Sequence, residues 1–332
     1  MKRWFALIPL LLLLCACDVH ELPHGSSDID VTIHLVFDET LPDFRTIDFP
    51  AVKSGEGLQV RYELRIYRGA PGDFEKEVFL SHSLEEPWNG TLDKDVHLAL
   101  RSGRYLVQAW VDFVGQDGSP FYDNDDFGNI KMGGDYSSDL QLRDAFYAQG
   151  ELPLETLLEA GIGYETTLPM IRPHAEYRFL ATDYEEFIQY WAKKYALAHQ
   201  MAVKPDVKNV DINDFKVRVV YPQYLPNAFS VWTDAPVDSS TGVSFEVPMH
   251  QREDGMVEIG ADWVLQGAKE GLVVVLLEFY DVEGMYLSTL QSVEIPLLRG
   301  HLTTIQGKLL TSGVNSGITI DPTFDGEFNV YL

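Results

Sequence analysis

The first residues that suggest a chemical reaction lie near the amino terminus. Residues 14–17 read Leu-Cys-Ala-Cys, which fits a bacterial lipobox: an apolar residue, a variable one, a small one and then cysteine. The cysteine must supply a thiol that is diacylated before the signal is cut. Two basic residues and the apolar stretch 4–14 precede it, and that stretch is shorter than the roughly 20 residues of a membrane-spanning helix. The pattern predicts a signal peptide over residues 1–16 and a lipid on Cys17.

A lipidated Cys17 would carry a diacylglycerol group and an N-palmitoyl chain, and several acyl chains hold a protein on a membrane more firmly than one does. The alternative is an ordinary secretory signal that is cut nearby. The sequence has two cysteines, and Cys15 would leave with the signal, so we expect no disulfide and no further cofactor. Residues 17–27 are polar and lack periodicity, and we interpret them as a lipidated tether.

The rest of the chain contains no catalytic motif in a fitting structural context. The HExxH spacing occurs once, at residues 20–24, but Pro23 lies inside it and disfavours the helix that must carry both histidines. The patterns GxSxG, GxGxxG and the P-loop are absent from the sequence, and the nine histidines form no His-x-His pair. With 51 acidic residues, counting alone does not exclude a glycosidase, but no carboxylate spacing favours one. We therefore predict that the protein is not an enzyme, and a hydrolase is the third of three hypotheses.

One acidic loop is the candidate for a metal site. Asp123 and Asp125 stand at the first and third positions of a run that matches a calcium loop again at its sixth position, Gly128. The fifth position is Phe127 and the twelfth is Gly134, so the bidentate acidic ligand is missing. We interpret the run as an acidic turn between strands, and a metal on Asp123 and Asp125 is the alternative.

The chain is strongly acidic, with 51 Asp and Glu against 25 Lys and Arg and a formal net charge of −26. Such a surface repels phosphate backbones, so nucleic-acid binding is excluded as a hypothesis. The same charge disfavours peripheral docking on anionic lipid. The composition, with 45% hydrophobic residues, is that of a globular protein and not of a disordered chain.

Most of the chain shows the pattern of β-strands. Apolar and polar residues alternate with a period of two over residues 29–37, 58–68, 74–81, 92–100 and 105–114. The pattern resumes over 215–221, 244–247, 257–265, 272–280, 287–295 and 302–310. Gly, Pro and Asp residues separate these runs, which is typical of antiparallel β-sandwiches.

One segment has helical periodicity instead. Within residues 183–199, Phe187, Trp191 and Tyr195 are spaced as on one face of a helix, and Asp183 or Thr182 is placed to cap it. Glycines at 161 and 163, with a proline at 169, indicate a boundary near residue 165. We therefore predict an all-β fold of two tandem antiparallel β-sandwiches, residues 28–165 and 166–332, with one amphipathic helix in the second.

The carboxyl-terminal residues form a second unusual segment. A glycine-bounded hinge at 313–317 is followed by an apolar pattern that continues to the final residue, with apolar positions at Ile318, Ile320, Phe328, Val330 and Leu332. Two interpretations remain open. The segment is a last strand that completes its own sheet, or it is a detachable strand that adds to the sheet edge of a neighbouring subunit.

Several blocks of the sequence resemble the fimbrial anchor lipoproteins of Bacteroidales, the fimbrillin-A-associated anchor family. They span nearly the whole mature chain, and none is a catalytic signature. The blocks are residues 17–21, 109–114, 121–127, 142–146, 172–183 and 317–328.

The resemblance implies tandem transthyretin-like, Greek-key sandwiches at the base of an outer-membrane fimbrium. In related stalk subunits an Arg-specific protease removes the first strand, and the groove accepts the carboxyl-terminal strand of the next subunit. An anchor keeps its first strand, so growth stops, while its own last strand enters the final stalk subunit. Carried over to this chain, residues 29–37 are the retained strand, 318–332 the donor strand, and Arg45 a candidate cleavage site whose use would contradict the anchor role.

We therefore expect a lipid-anchored structural subunit that tethers and terminates a fimbrium at the outer membrane, is exposed at the cell surface, and has a fimbrial stalk subunit as its partner. A tip or accessory subunit is a variant of this hypothesis. The alternative from a different class is a surface glycan-binding lipoprotein. In that case exposed aromatic residues such as Trp88, Tyr122 and Phe127 would stack on sugars, and the equally weighted alternative is that they are core or interface residues.

Overall fold

A computed structural model of the chain describes residues 28–37, 58–70, 72–89, 91–115, 117–133, 136, 140–157, 163–311 and 327–331. The strands of this part of the chain are β1 (Ile29–Phe37), β2 (Gln59–Ala70), β3 (Asp73–Pro87), β4 (Lys94–Leu100), β5 (Arg104–Val114), β6 (Tyr122–Asp123), β7 (Ile130–Met132), β8 (Ala145–Pro153), β9 (Tyr164–Met170), β10 (His174–Ala181), β11 (Phe215–Ser230), β12 (Ala235–Pro248), β13 (His250–Gln251), β14 (Val257–Leu265), β15 (Gly271–Asp281), β16 (Tyr286–Leu297), β17 (Leu302–Gly307) and β18 (Glu327–Tyr331).

In the part of the chain that the structure describes, the helical elements are few and mostly short. Helix α1 comprises Tyr184–Ala198, and a single helical turn comprises Leu140–Arg143. The described 3₁₀ turns lie at Leu154–Thr156, Val207–Asn209 and Ile212–Asp214. Within the described ranges, no helix combines the length and the apolar character needed to cross a membrane.

The first sandwich packs a three-stranded sheet, in the order β4-β1-β9, against a four-stranded sheet, in the order β3-β2-β5-β8. Alternate residues of the strands point between the sheets, so Ile33 and Leu64 are fully buried in one core. Gly150 on β8 leaves the space that Leu168 of β9 occupies, because a Cβ atom there would lie 2.3 Å from Cδ2 of Leu168. β9 is thus an integral part of the first sandwich.

The second sandwich packs a five-stranded sheet, in the order β13-β14-β10-β17-β18, against a six-stranded arrangement. That arrangement has the order β16-β15-β11-β7-β6, with β12 also paired to β11. Phe179, Val219 and Leu277 are among the fully buried residues of its core. β6 and β7 come from the first half of the chain, so the chain enters the second sandwich before it has completed the first.

The predicted all-β fold with sandwiches and one main helix is confirmed. Most strand pairs are antiparallel, as predicted, but β1 with β9, β10 with β17 and β17 with β18 are parallel. The predicted domain boundary after residue 165 falls inside β9. The chain passes to the second sandwich at residues 171–173, because β9 pairs with β1 and β10 starts the next sheet.

Helix α1 covers one end of the second sandwich. Phe187 is buried and packs against the rings of Phe215 and Phe279, at centroid distances of 5.1 and 6.1 Å. Asp183 occupies the N-cap position but makes no side-chain capping hydrogen bond. Its carboxylate instead accepts hydrogen bonds from the backbone N–H groups of Leu310 and Thr311, at 3.2 and 2.8 Å. The residue predicted as a helix cap therefore fixes the segment that follows β17 to the start of α1.

Candidate assembly site

The first strand lies in the middle of its sheet. β1 pairs antiparallel with β4 and parallel with β9, so both of its edges are hydrogen-bonded. Its inward residues Ile29, Val31, Ile33 and Leu35 are between 0% and 4% exposed. Both edges and the apolar face of β1 are therefore covered by other residues of the first sandwich. The groove between β4 and β9 is therefore filled by the chain's own residues 29–37.

The polar face of β1 makes additional contacts. His34 Nδ1 lies 2.7 Å from Asp95 Oδ1, and Thr32 Oγ1 lies 3.1 Å from Nδ1 of His97. The backbone N–H of Phe37 donates to the carboxylate of Asp93 at 2.8 Å. These contacts all join β1 to β4 or the residue before it, and they fix the register of the strand.

The last strand lies at an edge. Among the described strands, β18 pairs with β17 alone, in parallel, with Phe328 opposite Thr303 and Val330 opposite Ile305. This is the arrangement of a strand that completes its own sheet, which is one of the two interpretations left open by the sequence. The predicted donor residues Ile318, Ile320 and Leu332 lie outside the described residues, as do Cys17 and Arg45.

The acidic loop has little of the geometry of a calcium site. The carboxylate of Asp123 accepts a hydrogen bond from the N–H of Asp125 at 3.3 Å, which is a local turn contact. The depression beside the loop is also lined by Arg61, whose positive charge opposes a bound cation. Among the residues that the structure describes, no group of three or more His, Cys, Asp or Glu side chains is arranged to hold a metal ion.

Of the three aromatic residues considered for sugar stacking, two are buried and one is partly buried. Tyr122 and Phe127 are 0% and 2% exposed, and they belong to an apolar cluster between the two sandwiches. Trp88 is partly buried and packs edge-on against Phe113 of β5, with ring centroids 5.3 Å apart. Tyr122 and Phe127 are therefore core residues, which is one of the two alternatives that the sequence leaves open for them.

A buried ion pair joins the two sandwiches, in the region that we call the joint. Arg143, in the helical turn before β8, pairs with Asp262 of β14, and their side chains are 1% and 0% exposed. The guanidinium also donates to the hydroxyl of Tyr136 and to the backbone carbonyl of Trp263. The carboxylate accepts a further hydrogen bond from Tyr221. Each charge thus has several partners, as a buried pair requires.

Two more arginine–aspartate pairs lie near the joint. Arg61 donates two hydrogen bonds to Asp112, at 2.8 and 2.6 Å, and Arg172 donates two to Asp144, at 2.7 and 2.8 Å. Both pairs have the bidentate geometry that favours guanidinium–carboxylate recognition. Burial raises the pKa of Asp112 and of Asp144, and the paired arginine opposes that rise.

A buried histidine also lies in the joint. The hydroxyl of Tyr122 donates to the backbone carbonyl of Arg143 at 2.7 Å, and its oxygen lies 2.9 Å from Nε2 of His174. Since the hydroxyl has one proton, Nε2 of His174 is the donor of the second contact. Burial lowers the pKa of His174 well below its ordinary value, and the charges of Arg143 and Arg172 lower it further. The ring is therefore neutral.

The residues of the joint come from the blocks that carry the family resemblance. Asp112, Tyr122, Arg143 and Arg172 lie in the blocks 109–114, 121–127, 142–146 and 172–183, respectively. Sequence reasoning assigned no role to the three charged residues, because isolated charged residues next to strands look like turn residues, and it considered Tyr122 only for sugar stacking. The available signal was that Arg143 and Asp144 interrupt an otherwise apolar block. The structure assigns these blocks to the joint between the sandwiches.

These observations define a protein of two β-sandwiches with an enclosed first strand, an edge-located last strand and a buried polar joint. The chain belongs to the DUF6562 family, a family of unknown function, whose profile matches residues 25–331. This is not the anchor family named from the resemblance, so membership of that family is not confirmed. A comparison with curated proteins finds no significant match.

Three solved structures illustrate what the fold is similar to. A candidate polysaccharide-binding protein from Bacteroides thetaiotaomicron has 12% identity and a TM-score of 0.43, covering 79% of this chain and 80% of that one. The fimbrial anchor protein Mfa2 from Porphyromonas gingivalis has 10% identity and a TM-score of 0.38, with 79% and 82% covered. A candidate cell adhesion protein from Bacteroides eggerthii has 10% identity and a TM-score of 0.41, with 92% and 98% covered. Similarity at this level transfers neither a function nor a partner.

Proposed function

We propose that this protein is a lipid-anchored structural subunit that tethers and terminates a fimbrium at the outer membrane. It joins the adjacent stalk subunit by donating its carboxyl-terminal strand. The observation that carries the proposal is the position of β1, which fills the groove between β4 and β9 with buried apolar residues. A groove that is filled from within the same chain has no room for a strand from another subunit, so a polymer ends there.

The position of β18 supports the second half of the proposal. β18 has a single partner strand, whereas β1 has two, so fewer main-chain hydrogen bonds must break to release it. A released strand regains those bonds on the open edge of another sheet, and its alternate apolar residues fill pockets there. The predicted lipid on Cys17 would hold the other end of the molecule on the membrane.

The test of strand donation uses the native host and a protein tagged in the exposed turn at residues 252–256. Outer membranes are solubilised without boiling, and wild type is compared on denaturing gels with a deletion of 317–332. We expect the wild type to form a ladder of heat-labile complexes with one repeated partner, and the deletion to abolish it. A matched pair of point variants, Val330→Asp and Asn329→Asp, adds the same charge at an apolar and at a polar position. Only Val330→Asp should weaken the ladder.

A monomer in every lane, with no partner recovered, would overturn the proposal. The glycan-binding alternative would then be tested on sugar arrays with the same purified protein. A ladder that persists after deletion of 317–332 would show that the subunit joins the polymer by another surface.

The lipid is tested with the two cysteines of the chain. Cys17→Ser should release the protein from the membrane fraction, because the acylated thiol is lost. Cys15→Ser, two residues away, should leave the protein membrane-bound, because that residue departs with the signal. Equal behaviour of the two variants would contradict lipidation at Cys17, and metabolic labelling with a palmitate analogue reads out the acyl chains directly.

A further inference from the structure

A cluster of exposed apolar side chains lies at the end of the second sandwich. The described residues contain eleven large, exposed hydrophobic side chains, and six of them lie in residues 190–203 and 282–286. Leu197 and Val203 are 80% and 75% exposed, and Val282 is 64% exposed. Such concentration is not the scatter expected of ordinary surface hydrophobics, and clusters of this kind mark interaction sites. We call this surface the α1 patch.

The two segments of the α1 patch form one continuous surface. The hydroxyl of Tyr190 and the ammonium of Lys194 both donate to the carbonyl of Leu287, at 3.3 and 2.9 Å. The Lys194 Nζ atom also lies 5.8 Å and 5.2 Å from the ring centroids of Tyr190 and Tyr286. The loop after α1 returns along the helix, because Lys204 donates to the side chain of Gln189 at 3.0 Å. The helix face, that loop and the β15–β16 turn are therefore neighbours.

The helical side of the α1 patch is rich in lysine, whereas the molecule is acidic. Residues 193–208, which extend the patch to Lys208, contain four lysines and one acidic residue, in a chain of formal charge −26. The β15–β16 side of the patch contributes Glu283, whose carboxylate lies 3.1 Å from Nε2 of His199. Lys193, Lys204 and Lys208 are exposed, and within the described ranges none of them forms a salt bridge. A surface that combines apolar side chains with unpaired lysines is complementary to an acidic surface with apolar anchors.

The α1 patch and the start of β1 lie at opposite ends of the described part of the molecule. β1 begins at Ile29 and ends at Phe37, whose ring lies 5.8 Å from the guanidinium of Arg172 at the joint. β10 starts at the same joint and runs away from it for eight residues, and α1 follows directly. Each of these strands spans about 25 Å. Asp28 and α1 therefore lie on opposite sides of the joint.

The last strand ends near the α1 patch. β18 runs parallel to β17, and β17 runs parallel to β10, so Tyr331 lies at the same end of the sheet as Ala181 and the start of α1. A subunit that receives β18 would therefore be brought against this end of the second sandwich. A membrane is a poorer occupant, because Asp28, the residue nearest in sequence to the proposed lipid, lies on the other side of the joint.

We propose that the α1 patch is the docking surface for the subunit that receives the carboxyl-terminal strand. The surface of that subunit that contacts the α1 patch is acidic with apolar anchors. This inference rests on the proposed strand donation and adds a second contact to it. The strand supplies main-chain hydrogen bonds, and the α1 patch fixes the angle between the two subunits by side-chain contacts.

The test is site-specific photo-crosslinking in the native host with full-length protein. A benzophenone amino acid is placed at Leu197 in the α1 patch, at Asn329 in β18, and at Leu272 as a control. Leu272 is 56% exposed but lies at the opposite end of β15. We expect Leu197 and Asn329 to crosslink to the same protein, identified by mass spectrometry, through an acidic peptide at Leu197. Leu272 should give no adduct with that protein.

A charge variant makes the test specific. The triple change Lys193→Glu, Lys204→Glu and Lys208→Glu should reduce the Leu197 adduct at least about tenfold, which corresponds to a loss of 1.4 kcal/mol in binding. The matched Lys→Arg triple should retain it. The inference is overturned if Leu197 crosslinks to lipid, to a second copy of this chain, or to a protein other than the one found at Asn329.

Two outcomes separate this inference from the proposed function. An adduct at Asn329 without one at Leu197 overturns the proposal that the α1 patch is a docking surface, but it remains consistent with strand donation. The absence of an adduct at both positions overturns both, and the ladder experiment then shows independently whether a fimbrial partner exists.

Discussion

Arg143 neutralises a buried carboxylate at the joint between the two sandwiches. It is 1% exposed and is the cation that faces the buried carboxylate of Asp262. Arg143→Leu would leave that carboxylate buried without its partner, and we expect a loss of about 3–5 kcal/mol in unfolding free energy. Denaturant titration measures it.

The control for this prediction is an arginine on the surface. Arg104 contacts Glu151 and Glu155, and its side chain is 26% exposed. Arg104→Leu should change the unfolding free energy far less than Arg143→Leu, because solvent screens exposed pairs. The double variant Arg143→Leu with Asp262→Leu should recover part of the stability, since it leaves no charge buried alone. Equal losses for Arg143→Leu and Arg104→Leu would contradict the role of Arg143.

Glu176 and Glu258 make the stability of the second sandwich depend on pH. Burial raises the pKa of Glu176 from 4.5 to about 8, and Arg178 opposes the rise. Burial likewise raises the pKa of Glu258 from 4.5 to about 7, opposed by Arg178 and Arg252. The folded state binds these protons more tightly than the unfolded chain does. Unfolding free energy therefore falls as pH rises from about 4.5 to about 8.

Glu176→Gln should remove much of this dependence. We expect the variant to match wild type at pH 5 and to exceed it at pH 9, by on the order of 1 kcal/mol for each unit of pKa shift. Thermal unfolding across pH 5–9 measures the difference. Glu246→Gln is the control, because the side chain of Glu246 is 61% exposed and should show no such effect. A wild-type protein that becomes more stable between pH 5 and 8 would contradict the sign of this prediction.

At the scale of elements, β1 is the strand on which the proposed role depends. A chain that starts at residue 58 lacks β1, so β4 and β9 lose their common partner and the first core is opened. We expect this truncated protein to be strongly destabilised and to be rescued by a synthetic peptide of residues 28–37 added in trans. Rescue is measured as a rise in melting temperature with peptide concentration.

Peptide variants make the rescue specific to the groove. Ile33 is fully buried, so a peptide with Ile33→Asp should lose the roughly 1.5–3 kcal/mol of a buried aliphatic side chain and bind at least about tenfold more weakly. A peptide with His34→Gln, on the polar face, should still rescue. If both peptides act equally, the groove does not select the strand by its apolar face.

The elements also show what the sequence could predict. The run 58–68 corresponds to β2, because alternation with a period of two identifies strands well. The predicted strand 257–265 is β14, although all nine of its residues are buried. The same alternation does not encode which strand lies alongside. The parallel pairs of β1 with β9 and of β17 with β18 were therefore missed. β6 and β7 were missed because strands of two and three residues have no period to detect.

The candidate site was predictable only in part. The alternation over 29–37 indicated a strand with one buried face, but its central place between β4 and β9 depends on pairings with residues 59 or more positions away. The ion pair of Arg143 with Asp262 was invisible for the same reason, since 119 positions separate the two residues. Long-range polar contacts leave no periodic trace in a single sequence.

At the scale of the whole molecule, the two sandwiches share a third apolar cluster besides their own cores. Trp110 and Tyr147 come from the first sandwich and Phe229 from the second, and the ring of Phe229 lies 6.3 and 5.2 Å from theirs. Together with the buried ion pair, this cluster makes the joint resemble a core and not a mobile interface between domains. An anchor that transmits force from a polymer to a membrane would benefit from such a rigid joint.

We therefore expect the mature chain to unfold in a single calorimetric transition, because neither sandwich can open without exposing the shared cluster. Phe229→Ala removes a fully buried ring from that cluster and should cost about 3–5 kcal/mol. It should also split the transition in two, since it weakens the coupling between the sandwiches. Phe279→Ala is the matched control: its ring is equally buried but lies in the core of the second sandwich alone. That variant should lower the melting temperature and keep one transition, whereas two separated transitions in the wild type would show that the sandwiches unfold independently.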